Sequence, residues 1–328
     1  MSNRPRSEAG LQMKSIDGAL VKRNHKQEEL SAQGALFDDL QDYRFQRHSG
    51  VVPALVQIAH ALIICGLPYR QTESRQHVRR SRKADGTTIT VTFHALGTDV
   101  AMPYGTDRTL LHWLIDQAIK RKDPFVPWST ASQFMEDMGY SRGGKNYQRV
   151  RDSFKRLSSV AIVVEQQDAA FEDIAIMPII QGARLPRSVA PKFVEFPGTP
   201  ATQGVRFGEA FFEEINRNHV PFPWEILRAL DRKPQMQDYI LFLHWRSFSA
   251  NRPSLIPWAA LREQLWQDDK TSSRIRVRFA DAIRMLKTVW PEFQGDARSD
   301  GLWIAPPKGN RHLITGAVHT QRSTKTLS

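Results

Sequence analysis

"SRGGKNYQRVRDSFKRLSS", residues 141–159, reads as an amphipathic helix, and the fold follows from its neighbours. Tyr147, Val150, Phe154 and Leu157 recur at the three-to-four spacing of one helical face. The opposite face carries Lys145, Gln148, Arg149, Asp152, Lys155 and Arg156. Upstream, "GTDRTLLHWLIDQAIKRK" (105–122) opens with capping residues Thr106 and Asp107 and repeats Leu110, Leu111, Leu114 and Ala118 in helical register. Between them, "PWSTASQFMEDMGY" (127–140) predicts a short helix with Ser129 as N-cap, Phe134, Met135 and Met138 inward, and Gly139 as stop. Downstream, "VAIVVEQ" and "FEDIAIMP" flank a tight turn and predict two strands. Three helices followed by a hairpin is the order of a winged-helix unit.

About 130 residues further on, the unit repeats. Leu111-His112-Trp113 returns as Leu243-His244-Trp245, and Pro127-Trp128 returns as Pro257-Trp258. "RVRDSFKRL" (149–157) matches "RFADAIRML" (278–286), so Arg149, Asp152, Phe154 and Leu157 align with Arg278, Asp281, Ile283 and Leu286. Core and turn chemistry explains such residues within one copy; three matches in the same order at near-constant offset point to a duplication. The reading is α+β: two tandem winged-helix domains after a flexible N-terminal tail. It divides the chain into a disordered tail (1–50), a first domain (51–190), a linker (191–204), a second domain (205–320) and a disordered C-terminus (321–328). The Pro-rich "RLPRSVAPKFVEFPGTP" joins the two domains. Within the first, Leu55, Ile58, Ala59 and Leu62 predict a helix, "RQTESRQHVRRSRKADGTT" (70–88) a solvated basic loop, and "TITVTFHAL" a strand.

The chain has 46 Lys+Arg against 34 Asp+Glu, a net charge of +12 that attracts polyanions. Residues 141–158 hold six Lys/Arg and one Asp, and residues 270–287 hold the same, so the two third helices supply ten of the twelve charges. The third helix of a winged-helix domain enters the major groove, which gives each base pair a distinct pattern. The candidate DNA-contacting residues are therefore Lys145, Gln148, Arg149, Lys155 and Arg156 in the first domain, and Arg274, Arg278, Asp281 and Arg284 in the second. A solvated helix face is the bland alternative. Asp152 and Asp281 have two readings, acceptance from cytosine N4 or pairing with an arginine three or four residues away.

Other classes lose ground. The sequence has no phosphate-binding loop, nucleophile elbow or H-E-x-x-H motif, and no carboxylate pair or metal-ligand spacing. His60, His112, His219 and His244 sit beside apolar or aromatic residues, as packed histidines do. A relaxase or nuclease would need clustered histidines or a tyrosine beside them, so no enzyme and no cofactor is expected. Single Cys65 reads as a buried thiol, "MSNRPRSEAG" lacks a signal-peptide core, and the longest apolar stretch contains Pro53, Gln57 and His60 and is too short to cross a bilayer. The expectation is a cytoplasmic protein without a membrane partner.

Tandem winged-helix units, basic third helices and a charged tail together resemble the RepA-type replication initiators of broad-host-range plasmids, with TrfA-like initiators as relatives. The resemblance rests on the repeat over about 51–320. It implies binding to double-stranded origin direct repeats (iterons), melting of an A·T-rich flank with contact to the single-stranded origin DNA, and recruitment of host DnaA and the DnaB helicase. It implies, too, a homodimer as the inactive or repressive form. A transcriptional repressor built on the same domains is the competing function. In the tail, Gln33, Leu36 and Phe37 of "QGALF" resemble the Gln-x-x-Leu-Phe ligands of bacterial sliding clamps, although Gly34 replaces the favoured Leu. The alternative for this segment is an amphipathic helix through Leu36, Phe37, Leu40 and Tyr43 that docks on the protein's own surface.

Overall fold

The computed structural model describes residues 39–47, 49, 53–82, 86–97, 99–141, 143–185, 202–265 and 272–314. The chain is α+β. A helix over residues 39–47 (α1) is followed by β1 (Leu55–Ala59), α2 (His60–Ile64), β2 (Gln76–Arg82) and β3 (Thr88–Ala95). The first winged-helix unit then runs α3 (Asp107–Arg121), β4 (Phe125–Pro127), α4 (Ala131–Asp137), α5 (Gly144–Leu157), β5 (Val160–Gln167) and β6 (Glu172–Pro178). Next come β7 (Ile180–Arg184), β8 (Gly204–Phe207), α6 (Glu209–Arg217), β9 (His219–Pro223) and α7 (Trp224–Ala229). The second unit is α8 (Pro234–Phe248), β10 (Ser254–Pro257), α9 (Trp258–Leu265), α10 (Ser272–Val289), β11 (Gln294–Ala297) and β12 (Gly301–Ala305).

Both copies keep the order helix, short strand, helix, helix, hairpin, but their sheets differ. In the second, β10 pairs with β12 and β12 with β11, so the first strand joins the hairpin in one sheet. In the first, β4 pairs instead with β8, and the β5–β6 hairpin joins β3 and β2 in a four-stranded sheet. Local chemistry sets the helix ends. The Thr130 hydroxyl accepts from the Gln133 amide at 3.1 Å, so Thr130, not Ser129, caps α4. Gly139 takes φ +68° just past that helix, a conformation a side chain resists, and so acts as the stop.

Several sequence expectations change. Leu55–Ala59 is a strand, because Val220 and Phe222 of β9, some 160 positions away, pair with it and share its buried face. The basic stretch contributes β2 in register with β3, and Arg79 within it is buried. Val205, Phe207, Phe211 and Ile215, which the sequence assigns to the second domain, pack into the first core with Leu111, Trp113 and Phe154. The Pro-rich segment thus connects β7 to its own antiparallel partner β8. Part of the tail also folds: Leu40 and Tyr43 of α1 enter the second core, the Tyr43 hydroxyl donates to the Leu313 carbonyl at 3.1 Å, and Arg47 pairs with Glu292 at 3.0 Å. The self-docking alternative describes Leu40 and Tyr43; Gln33, Leu36 and Phe37, like residues 321–328, lie outside the described residues.

The two units meet through α3 and α8. Gln237 donates to the Thr109 hydroxyl at 3.1 Å and to the Leu227 carbonyl at 2.9 Å. Arg108 approaches the Asp238 carboxylate at 3.5 Å, and Gly66 leaves no room for a Cβ against that carboxylate. Burial raises the Asp238 carboxyl to about 6, with Arg108 and Arg79 opposing the rise. Burial also pushes His112 down to about 3 and His244 to about 4.

These shifts set an acid limit. The two rings are neutral in the folded chain but protonate near 6.5 when unfolded, so stability present above that pH is lost as pH falls toward 4. From pH 7 to 5 each histidine costs about 2 kcal/mol. Asp238 works the other way: its folded pKa is raised, so acidification over the same range returns about 1 kcal/mol. His77, lowered to about 3 chiefly by burial, adds to the loss. We expect a net loss of roughly 4–5 kcal/mol between pH 7 and pH 5 from the three histidines less Asp238, read as a lower melting temperature. Equal melting temperatures at the two pH values would refute it.

Candidate nucleic-acid interface

The inward residues of α5 are Val150, Ser153, Phe154 and Leu157. Phe154 stacks on Trp128 with ring centres 5.2 Å apart and meets Phe134 at 5.5 Å. That anchor sets the roll of the helix and turns Lys145, Gln148 and Lys155 to solvent. The other two candidates on α5 point elsewhere. Arg156 grips Asp107 at the start of α3 in a two-pronged ion pair, Nε at 2.6 Å and Nη2 at 2.8 Å. Asp107 is 1% exposed and also takes the Ser153 hydroxyl and the Tyr104 amide. Arg156 is thereby tied into the frame of the first unit. Arg149 is half-buried with its guanidinium 4.7 Å above the Tyr140 ring, and it acts on Asp231 beyond α7.

The polar face of α5 is also cross-linked within itself. Gln148 donates to Asp152 at 2.9 Å, and Lys155 lies 3.8 Å from the same carboxylate. Asp152 thus pairs with a lysine three residues on.

The second helix is more open. Ile275, Phe279, Ala282, Ile283 and Leu286 of α10 are buried, and Phe279 stacks on Tyr239 at 4.4 Å. The opposite side exposes Arg274, Arg276, Val277, Arg278, Arg284 and Lys287. Asp281 pairs with Arg284 at 3.1 Å, which is the arginine-pairing reading of that residue. An exposed ion pair of this kind contributes 1 kcal/mol or less and gives way readily to a stronger partner.

Three residues escaped the sequence reading. Arg276 and Val277 lie between the residues that helical spacing selected. Arg298, in the β11–β12 turn, sits 4.6 Å over the Trp303 ring and 3.7 Å from Asp296. Only the hairpin register reveals Arg298 as the basic tip of the second wing. Among the described residues no group of acidic, histidine or cysteine side chains could hold a metal ion, and no helix is long and apolar enough to cross a membrane.

Taken together, the geometry offers two cation-bearing helices with rigid apolar backs. Such a helix presents charge to phosphates at fixed spacing and side chains to base edges. No family model matches the chain, and no curated protein does. Solved structures similar to it include two of RctB. A crystal structure of RctB domains 2-3 is 12% identical with a TM-score of 0.42, covering 74% of this chain and 94% of that one. A structure of selenomethionine derivatives of domain 2 and domain 3 of RctB is 14% identical with a TM-score of 0.44, covering 70% and 84%. Both likenesses concern the fold.

Proposed function

We propose that this chain is a non-catalytic, sequence-specific DNA-binding protein that initiates plasmid replication. The observation that carries the DNA-binding part is the outward face of α10, where Arg274, Arg276, Arg278, Arg284 and Lys287 are exposed on a helix whose back is locked in the core. The initiator part rests on the resemblance drawn from the sequence repeat. In this reading the two units bind a double-stranded iteron, the neighbouring A·T-rich segment opens, and the exposed strand is held while DnaA and the DnaB helicase arrive. Gln33, Leu36 and Phe37 engage the host sliding clamp from a point just before α1, which is seated on the second unit. Homodimers are the form withheld from initiation, and the cytoplasm is the place of action.

The contacts divide by role. Arg278→Ala should weaken binding by about 1–3 kcal/mol and relax preference at one base pair, as loss of a base-reading arginine does. Lys155→Ala should weaken binding to every sequence alike and reduce the slope of log affinity against log salt by about one. Electrophoretic titration at several salt concentrations separates them, and equal losses on cognate and random DNA for Arg278→Ala would remove it from base readout. Initiation itself is tested with a supercoiled plasmid carrying the origin and potassium permanganate, which modifies unpaired thymines. Opening of the A·T-rich flank is the expected result; tight binding without opening would instead make the chain a repressor.

A further inference from the structure

Val277 stands where a core-driven account of α10 has no use for it. It is 58% exposed, between Arg276 and Arg278, while the buried side of the helix is already supplied by Ile275, Phe279, Ala282, Ile283 and Leu286. At 100° per residue it shares a stripe with Arg274, Arg278, Asp281 and Arg284, and lies beside Arg284. Local propensity does not account for it either, since a β-branched residue is a poorer helix former at an exposed site than Ala, Lys or Arg. Under the repeat alignment that pairs Arg149 with Arg278, the matching position on α5 is Gln148, which is also exposed. One outward position thus carries an amide in one unit and an apolar side chain in the other.

We propose that Val277 reads the 5-methyl group of a thymine in the major groove. Thymine is the base that shows an apolar group there, and a small apolar side chain recognises it by excluding water. The arginines on either side supply the phosphate or guanine contacts that hold α10 at that depth. The assignment rests on the DNA-binding reading of α10 and adds the base that this helix selects.

The test uses the full chain and duplexes that it enriches from a random-sequence pool. In the enriched duplex each thymine is replaced in turn by uracil, which lacks only the methyl group. The unmodified protein should prefer thymine to uracil about fourfold at one position, the value of one buried methyl. Val277→Ala should bring that ratio close to one; Val277→Thr, which keeps one γ-methyl, should fall between. Circular dichroism should show Val277→Ala fully folded, since Ala is the better helix former. A thymine-to-uracil ratio in Val277→Ala equal to that of the unmodified protein would overturn the assignment, as would a duplex with no uracil-sensitive position. A pool that yields no enriched duplex at all would bring down the DNA-binding reading with it.

Discussion

Arg156→Ala should destabilise the first winged-helix unit by about 3–5 kcal/mol, the usual loss when one member of a buried ion pair is removed. The Asp107 carboxylate it leaves behind is 1% exposed and would keep only the Ser153 hydroxyl and the Tyr104 amide. Two neutral donors do not offset a desolvated charge. The effect reaches further than one bond, because Asp107 starts α3 and α3 carries Leu111, Leu114 and Ile115 through the middle of the first core. Arg156→Lys keeps the charge but loses the fork that places Nε and Nη2 on separate oxygens, and should recover part of the loss. Denaturant unfolding gives the measurement. A stability change below about 0.5 kcal/mol, the size typical of surface substitutions, would show that the pair does not hold the unit together. Lys155→Ala, one residue away but solvent-facing, is the control that should leave stability nearly unchanged.

Phe279→Ala should cost about 3–5 kcal/mol, the range for truncating a fully buried aromatic residue. Phe279 is wholly buried, stacks on Tyr239 at 4.4 Å, and meets Trp258 at 5.9 Å and Phe242 at 6.1 Å. Tyr239, Phe242 and Trp258 come from α8 and α9, so one cavity loosens the packing of all three helices in the second unit. Two tandem domains with separate cores would each unfold by itself. The structure argues for a single transition, because β1 places Val56 and Ile58 in the second core and Ala59 in the first, and α3 bonds to α8 through Thr109 and Gln237. Fluorescence and far-ultraviolet circular dichroism should therefore report coincident unfolding curves for Phe279→Ala at a lower midpoint. Two separated transitions would show that the units are energetically independent. An unchanged midpoint would show that the register assigned to α10 is wrong.

The sequence by itself determined the repeating unit. Helical spacing of Val150, Phe154 and Leu157, and of Phe279, Ile283 and Leu286, was enough to mark the buried faces of α5 and α10, since local periodicity is what an amphipathic helix writes into its chain. It also located the outward face that holds Lys145, Gln148, Lys155, Arg274, Arg278 and Arg284. Tertiary structure alone decided which charges on those faces are available. Arg156 and Lys155 are neighbours with the same charge, and only the position of Asp107, 49 residues earlier, commits one of them to the frame. The same holds for backbone pairing. The spacing of Leu55, Ile58 and Ala59 predicts a helix, and His219–Pro223, far along the chain, supplies the pairing that makes Leu55–Ala59 a strand. Helices arise from contacts three and four residues apart and are legible in sequence order; strand partners and buried ion pairs arise from residues brought together across the fold, and their identity is set where the chain folds back on itself.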